Sequence, residues 1–311
     1  MNAVVEKALA LWGMQGAQYS LVAARENSVF QITTATNRFA LRLHRQGYRT
    51  NQELWSELKW MEAVKLGGIS VPTPIVSESG EVLHVLEGVQ VDVLTWLTGV
   101  TMEETLKTHS IAERAALFRQ LGQKMAKLHS TSDNWQRPSD FSRCAWDRDG
   151  LLGEAPLWGR FWDNPALSAC DRQLFLKIRE KANAELANIE TSLDYGLIHA
   201  DLVNANVMVD GKHTHLIDFD DGGFGFRLFE IATVLQKNIG SHDYPTLRAA
   251  LIEGYLSVRD IDLKVLNLFI LLRSATYVGW NISRMHEDKS GVRNDRFIAA
   301  TRLQAEEYLA N

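Results

Sequence analysis

The apolar pattern of this 311-residue chain changes its period once, near Trp96, and that change limits what the chain can fold into. Before it, apolar residues come in short β-rich runs. Residues 29–33 and 38–43 flank the turn Thr34-Ala35-Thr36-Asn37, and residues 82–86 and 89–94 flank Glu87-Gly88, the signature of two hairpins. One helix interrupts them. Thr50 and Glu53 have capping-box spacing, Leu54, Leu58 and Met61 mark one face, and Gly67-Gly68 followed by Val71-Pro72-Thr73-Pro74 ends the run. After Trp96-Leu97-Thr98-Gly99 the period becomes helical. Ser110 and Glu113 precede Leu117, Leu121, Met125 and Leu128, and Ser168 and Asp171 precede Leu174, Ile178, Ala182 and Leu186. A single core stops growing near this length. The expectation is an α+β chain of two lobes: a small N-terminal antiparallel sheet lobe, residues 1–96, and a larger, mostly helical C-terminal lobe, residues 97–311.

Composition narrows the function. Hydrophobic residues make up 46% and charged residues 23%, which excludes a disordered chain. The 38 acids outnumber 33 bases, so a broad electrostatic grip on nucleic acid or anionic membrane is not expected. Cys144 and Cys170 form no C-x-x-C pair, which suits a reducing cytoplasm. Residues 1–12 include Glu6 and lack the basic-then-apolar order of a signal peptide. The most apolar stretch, 263–280, is broken by Lys264, Asn267 and Arg273, as in a buried helix and unlike a membrane span. A cytoplasmic protein is expected.

Inside the helical half lies one β-like island, residues 195–224. It reads His199-Ala200-Asp201-Leu202-Val203-Asn204-Ala205-Asn206, then a hairpin pattern through Asp210-Gly211-Lys212 to Ile217-Asp218-Phe219-Asp220-Asp221. A carboxylate at 201 and a carboxamide at 206 on one loop, joined by a carboxylate at 218, make an oxygen set suited to Mg²⁺. The remaining carboxylate can then orient an attacking hydroxyl. Two other readings stand beside this one. His213 and His215 suggest zinc, but in an extended strand they face away from Asp218. The island can also be a polar turn with solvated acids.

The paired motifs resemble those of the aminoglycoside phosphotransferase/choline kinase superfamily, most of all its type II homoserine-kinase-like and stress-response kinase A branch. The superfamily's H-G-D-x-x-x-x-N stands here as His199-Ala200-Asp201 to Asn206, and its I-D-F-x-D as Ile217 to Asp221. Trp96-Leu97-Thr98-Gly99 matches a hinge signature, Leu121-Gly122 to Leu128-His129 the following helix, and Tyr277 with Trp280 and Arg284 the last long helix. The resemblance implies a protein-kinase-like fold and an ATP-dependent kinase using Mg²⁺. Asp201 would be catalytic, Asn206 and Asp218 would hold the metal, Leu94 and Leu97 would flank adenine, and His199 would brace the catalytic loop. Asp220 and Asp221 would shape the loop.

Two departures stand out. Arg42 occupies the place of the strand lysine that neutralises nucleotide phosphates, with Glu57 as its acidic partner because Glu53 is committed to the cap. Alternatively, Arg42 is a surface strand residue. The phosphate loop, residues 23–28, contains no glycine. Asn27 and Ser28 would supply side-chain contacts there, or Glu26-Asn27 is only a turn. Tyr277 and Trp280 share a helix face and fit either core packing or a wall of the acceptor pocket, where Trp280 could stack on an ammonium group. The acceptor expected is the hydroxyl of a small amino alcohol or amino acid, homoserine- or choline-like. A protein Ser/Thr is the alternative acceptor, and a nucleotide-binding regulator of weak activity the alternative function. The Trp-rich stretch 131–164 receives no role.

Overall fold

The computed structural model describes residues 1–24 and 27–310, so Glu26 of the expected phosphate loop lies outside the described residues. They form a mixed α+β structure with an antiparallel N-terminal sheet and a helical C-terminal part, as the two apolar periods predict. Two compact units are present. One comprises Met1–Thr108, Ser130–Arg143 and Ala205–Asp220; the other comprises His109–His129, Cys144–Asn204 and Asp221–Asn311.

The first unit is built on a five-stranded antiparallel sheet. Its spatial order is Gln18–Ala24, Ser28–Thr33, Arg38–Leu43, Val89–Thr95, Leu83–Leu86. Alternation puts Phe30, Ile32, Leu41, Leu43, Val91 and Val93 on one face. That face is covered by Val4, Val5, Ala8, Leu9 and Trp12 of the helix Asn2–Leu11 and its end. The first strand has no clear signal in the sequence: its residues are mostly exposed, so no alternation develops. The helix Asn51–Leu66 does start at the capping box, with Thr50 and Glu53 each accepting from the other's backbone N–H. A smaller sheet in the same unit joins Val100–Thr101, Val207–Asp210 and His213–Leu216. Gly99 permits this joint. It sits at φ +111, and a Cβ there would lie 2.4 Å from the Val209 carbonyl oxygen.

The second unit carries the helices Ala169–Ile189, Arg227–Gln236, Tyr244–Leu256, Leu266–Trp280 and Val292–Ala310 with a sheet of Ala145–Trp146, Gly223–Phe226 and Tyr195–Ile198. The caps expected at Ser110 and Ser168 are formed. One detail differs from expectation: Leu266–Trp280 is not the last helix. It ends at Trp280, and Ile282–Glu287 turns more tightly, which puts Arg284 beyond the helix before Val292–Ala310 follows. No helix among the described residues is long and apolar enough to cross a membrane.

Candidate active site

In the first unit, strand register decides the surroundings of Arg42. The pairing of Arg38–Leu43 with Val89–Thr95 sets Arg42 directly opposite Asp92, on the face away from the apolar layer. The guanidinium donates from Nε to Asp92 Oδ1 and from Nη2 to Oδ2, both at 2.8 Å, and from Nη1 to Glu57 Oε1 at 2.7 Å. Arg42 is therefore buried and not a surface strand residue, and the expected pair with Glu57 is formed. Asp92, which sequence reasoning missed, is its second partner and also lies 2.7 Å from His44 Nε2. Burial pushes both carboxyls up, but neighbouring cations outweigh it. Arg42, Arg143 and His44 hold Glu57 below the usual carboxylate range, and Arg42 and His44 hold Asp92 far below it.

The hairpin Val207–Asp210/His213–Leu216 carries the oxygen donors of the same unit. The Ile217 N–H donates to the Asn206 carbonyl at 3.0 Å, so Asn206 sits beside the start of the Asp218 segment. Asp218 has φ +68, a conformation that a non-glycine residue holds only when its surroundings impose it. Phe219, next in the chain, is fully buried edge-on against Trp60. One carboxylate and one carboxamide fit Mg²⁺, which takes its other ligands from water and phosphate. Among the described residues, no three His, Cys, Asp or Glu side chains gather as a metal site, and the His215 ring bonds Ser70 Oγ at 2.7 Å.

The remaining expected phosphate-loop and hinge residues also fall in this unit. Asn27 precedes the strand that Ser28 opens, and Asn27 Oδ1 accepts from the Arg45 N–H at 3.3 Å. Leu94 is buried near the end of its strand, and Leu97 is half-buried just past it.

In the second unit, Asp201 follows a strained residue. Ala200, at the position of the motif's glycine, has φ +65 and is fully buried. Glu230 of the helix Arg227–Gln236 holds this bend by accepting from the His199 N–H at 2.6 Å and the Ala200 N–H at 3.5 Å. Burial pushes the Glu230 carboxyl up to about 7, opposed by those backbone donors. The His199 ring accepts from the Asp201 N–H at 3.4 Å, a bracing contact.

Asp201 also meets a residue that sequence reasoning treated only as an interruption of an apolar stretch. Arg273, fully buried in Leu266–Trp280, donates from Nη2 to Asp201 Oδ1 at 2.6 Å and to the Tyr277 hydroxyl at 3.0 Å. Its guanidinium lies 4.4 Å from the Trp158 ring centre, 4.5 Å from Tyr277 and 5.5 Å from Phe229. Trp158 reaches it because Gly279 has no side chain: a Cβ there would stand 2.3 Å from the Gly159 carbonyl oxygen. Burial pushes the Asp201 carboxyl up to about 6; Arg273 and Lys237 oppose the rise and Asp221 adds to it. A lone charge in an apolar helix was the available signal for Arg273, since such a charge needs a buried counter-ion.

Tyr277 is buried and stacked on Phe297, with ring centres 5.2 Å apart. Trp280 is half-buried, and the Arg284 and Arg293 guanidiniums lie 4.3 and 5.3 Å from its ring centre. The chain's own cations thus make the kind of contact envisaged for a substrate ammonium.

Three comparisons bear on this arrangement. The phosphotransferase enzyme family matches residues 20–266. Homoserine kinase of Bartonella henselae is 25% identical over 86% of this chain and 80% of its own length. A microcompartment-associated aminopropanol kinase, 26% identical, superposes over 100% of this chain and 98% of its own with a TM-score of 0.88. An amicoumacin kinase solved with AMP-PNP and Ca²⁺ shares the fold at 20% identity, over 97% of this chain and 92% of its own, with a TM-score of 0.79.

Proposed function

The chain belongs to the phosphotransferase enzyme family, and we propose that it moves the γ-phosphoryl group of Mg-ATP to the hydroxyl of a small amino alcohol or amino acid. The observation that carries this reading is the buried Arg42–Glu57 pair at 2.7 Å, because kinases rely on a strand cation held by a helix glutamate to engage nucleotide phosphates. Residues 1–96 would cover the nucleotide, with Asn27 and Ser28 beside the phosphates and Leu94 and Leu97 against adenine. Residues 97–311 would supply catalysis and acceptor binding. Asn206 and Asp218 would hold Mg²⁺, whose bound charge neutralises the phosphate oxygens. Asp201 orients the acceptor hydroxyl and accepts its proton as the oxygen attacks, while Arg273 fixes the carboxylate in place. Tyr277 and Trp280 would wall the acceptor. Catalysis is then mostly positioning and charge neutralisation.

The relatives support the small-molecule acceptor, since homoserine and aminopropanol each carry an amino group and a hydroxyl. The AMP-PNP and Ca²⁺ held by the amicoumacin kinase support a nucleotide with a divalent cation. The test is phosphate transfer from labelled ATP over homoserine, aminopropanol, ethanolamine, choline and sugars. We expect turnover with at least one amino alcohol or amino acid, and a loss of about 10²–10⁴-fold on Asp201→Asn. Mg-ATP binding without transfer to any of them would sink the reading.

A further inference from the structure

Arg143 belongs to the Trp-rich stretch 131–164 that the sequence left without a role. Its first part, residues 131–143, contacts the helix Asn51–Leu66: Gln52 Nε2 donates to the Asp140 carbonyl at 2.7 Å, and the Ser142 N–H donates to Ser56 Oγ at 2.9 Å. This fixes where Arg143 enters. Its side chain is 1% exposed, and its guanidinium has two distinct sets of partners. Nη1 donates to the Glu53 carbonyl at 3.0 Å and to Glu57 Oε2 at 3.3 Å. Nη2 donates to the carbonyls of Phe219 at 3.1 Å and Asp220 at 2.5 Å.

Glu57 is therefore shared between two guanidiniums. Oε1 accepts from Arg42, and Oε2 from Arg143. Through Arg143 the same carboxylate is tied to the backbone that follows Asp218, whose φ of +68 needs fixed surroundings. Arg49 adds a second donor to the Asp220 carbonyl at 3.0 Å. Two buried guanidiniums, Arg42 and Arg143, face two buried carboxylates, Glu57 and Asp92, with the His44 ring also on Asp92. A planar guanidinium serves the helix and the loop at once with donors in a fixed fork, a geometry that the point charge of a lysine ammonium does not reproduce.

We propose that Arg143 is a positioning residue that sets the Asp218 segment against the Arg42–Glu57 pair, so that the metal-binding oxygens and the phosphate-facing guanidinium are arranged together. This rests on the reading of Asn206 and Asp218 as metal ligands. Groups that orient metal ligands from behind typically govern affinity by 10–100-fold.

The experiment measures Mn²⁺ binding in the presence of ADP, by the electron paramagnetic resonance signal of free Mn²⁺, for wild type, Arg143→Met, Arg143→Lys and Asp218→Asn. Melting temperature, kcat and the KM values for ATP and acceptor are read alongside. The expected result is Mn²⁺ affinity about tenfold weaker in Arg143→Met, partial recovery in Arg143→Lys, a raised KM for ATP and an unchanged KM for the acceptor. Should Arg143→Met not fold, Arg143→Lys decides, with affinity still below wild type. Wild-type Mn²⁺ affinity in the folded Arg143 variants, with only the melting temperature lowered, overturns the proposal. If Asp218→Asn also binds Mn²⁺ as wild type does, the metal assignment itself fails; if it binds weakly while the Arg143 variants bind normally, only the role of Arg143 falls.

Discussion

Asp201 lies where burial and Asp221 favour the protonated acid while Arg273 and Lys237 favour the carboxylate, leaving its pKa at about 6. If Asp201 is the proposed base, which must be ionised to orient a hydroxyl, kcat/KM rises with pH through about 6. Removing the guanidinium takes away the strongest influence opposing burial. Arg273→Met should therefore move the acid limb up by roughly one pH unit or more, measured as kcat/KM against pH; an unmoved limb would separate Arg273 from Asp201 energetically. The stability sign follows. A carboxyl whose folded pKa exceeds its unfolded value, near 4, makes the fold lose stability as pH rises from about 4 to about 6. Between those values wild type should therefore lose melting temperature as pH rises, and Asp201→Asn should lose less, even as its turnover is lost.

Among the elements, the pairing of Arg38–Leu43, Val89–Thr95 and Asn51–Leu66 determines what Arg42 can do. Cross-strand register supplies Asp92, and the helix supplies Glu57 one turn beyond the capping Glu53. Asp92→Asn removes the bidentate partner of a buried guanidinium and should cost about 3–5 kcal/mol, measured by denaturant unfolding at pH 7. Because the Asp92 pKa is depressed, its contribution is fully present above the ordinary carboxylate value and disappears only as pH falls through its lowered folded value. The mutant and wild type should therefore converge only in strong acid. Capping boxes, turns and strand runs were legible here because they are local: donor and acceptor lie three residues apart, and alternation shows within six. Asp92 was not, since a carboxylate in an apolar strand has no meaning until its opposite strand is known.

For the whole molecule, the chain draws one unit from three separate segments, Met1–Thr108, Ser130–Arg143 and Ala205–Asp220. A ligand bound only by the folded state raises stability by about 2.7 kcal/mol at 100 times its Kd. Mg-ATP at such an excess should raise the melting temperature by several degrees. Most of that increment should vanish in Asp218→Asn, with Mg²⁺-free ATP as control; an equal shift in the variant would remove Asp218 from nucleotide binding. The nine Trp also take their places only at this scale. Trp60 donates to Ser132 Oγ, Trp12 to the Ile75 carbonyl and Trp146 to the Asp221 carbonyl, each joining distant parts of one unit.

By itself the sequence determined the change from strand to helix near Trp96, the three caps and the island of Asp201, Asn206 and Asp218, while the pairing of Arg42 with Glu57 came from the family resemblance. These follow from short-range periodicity, local hydrogen bonding and a motif of fixed spacing. Only the tertiary structure decided that Asp92 faces Arg42, that Glu230 holds the bend at Ala200, that Arg273 meets Asp201, and that Arg143 ties Glu57 to the Asp218 segment. Each of these is a charge whose partner lies 30 to 86 residues away. A buried charge is tolerated only beside its counter-charge or backbone partners, and which groups those are is fixed by register and packing after the chain has closed on itself.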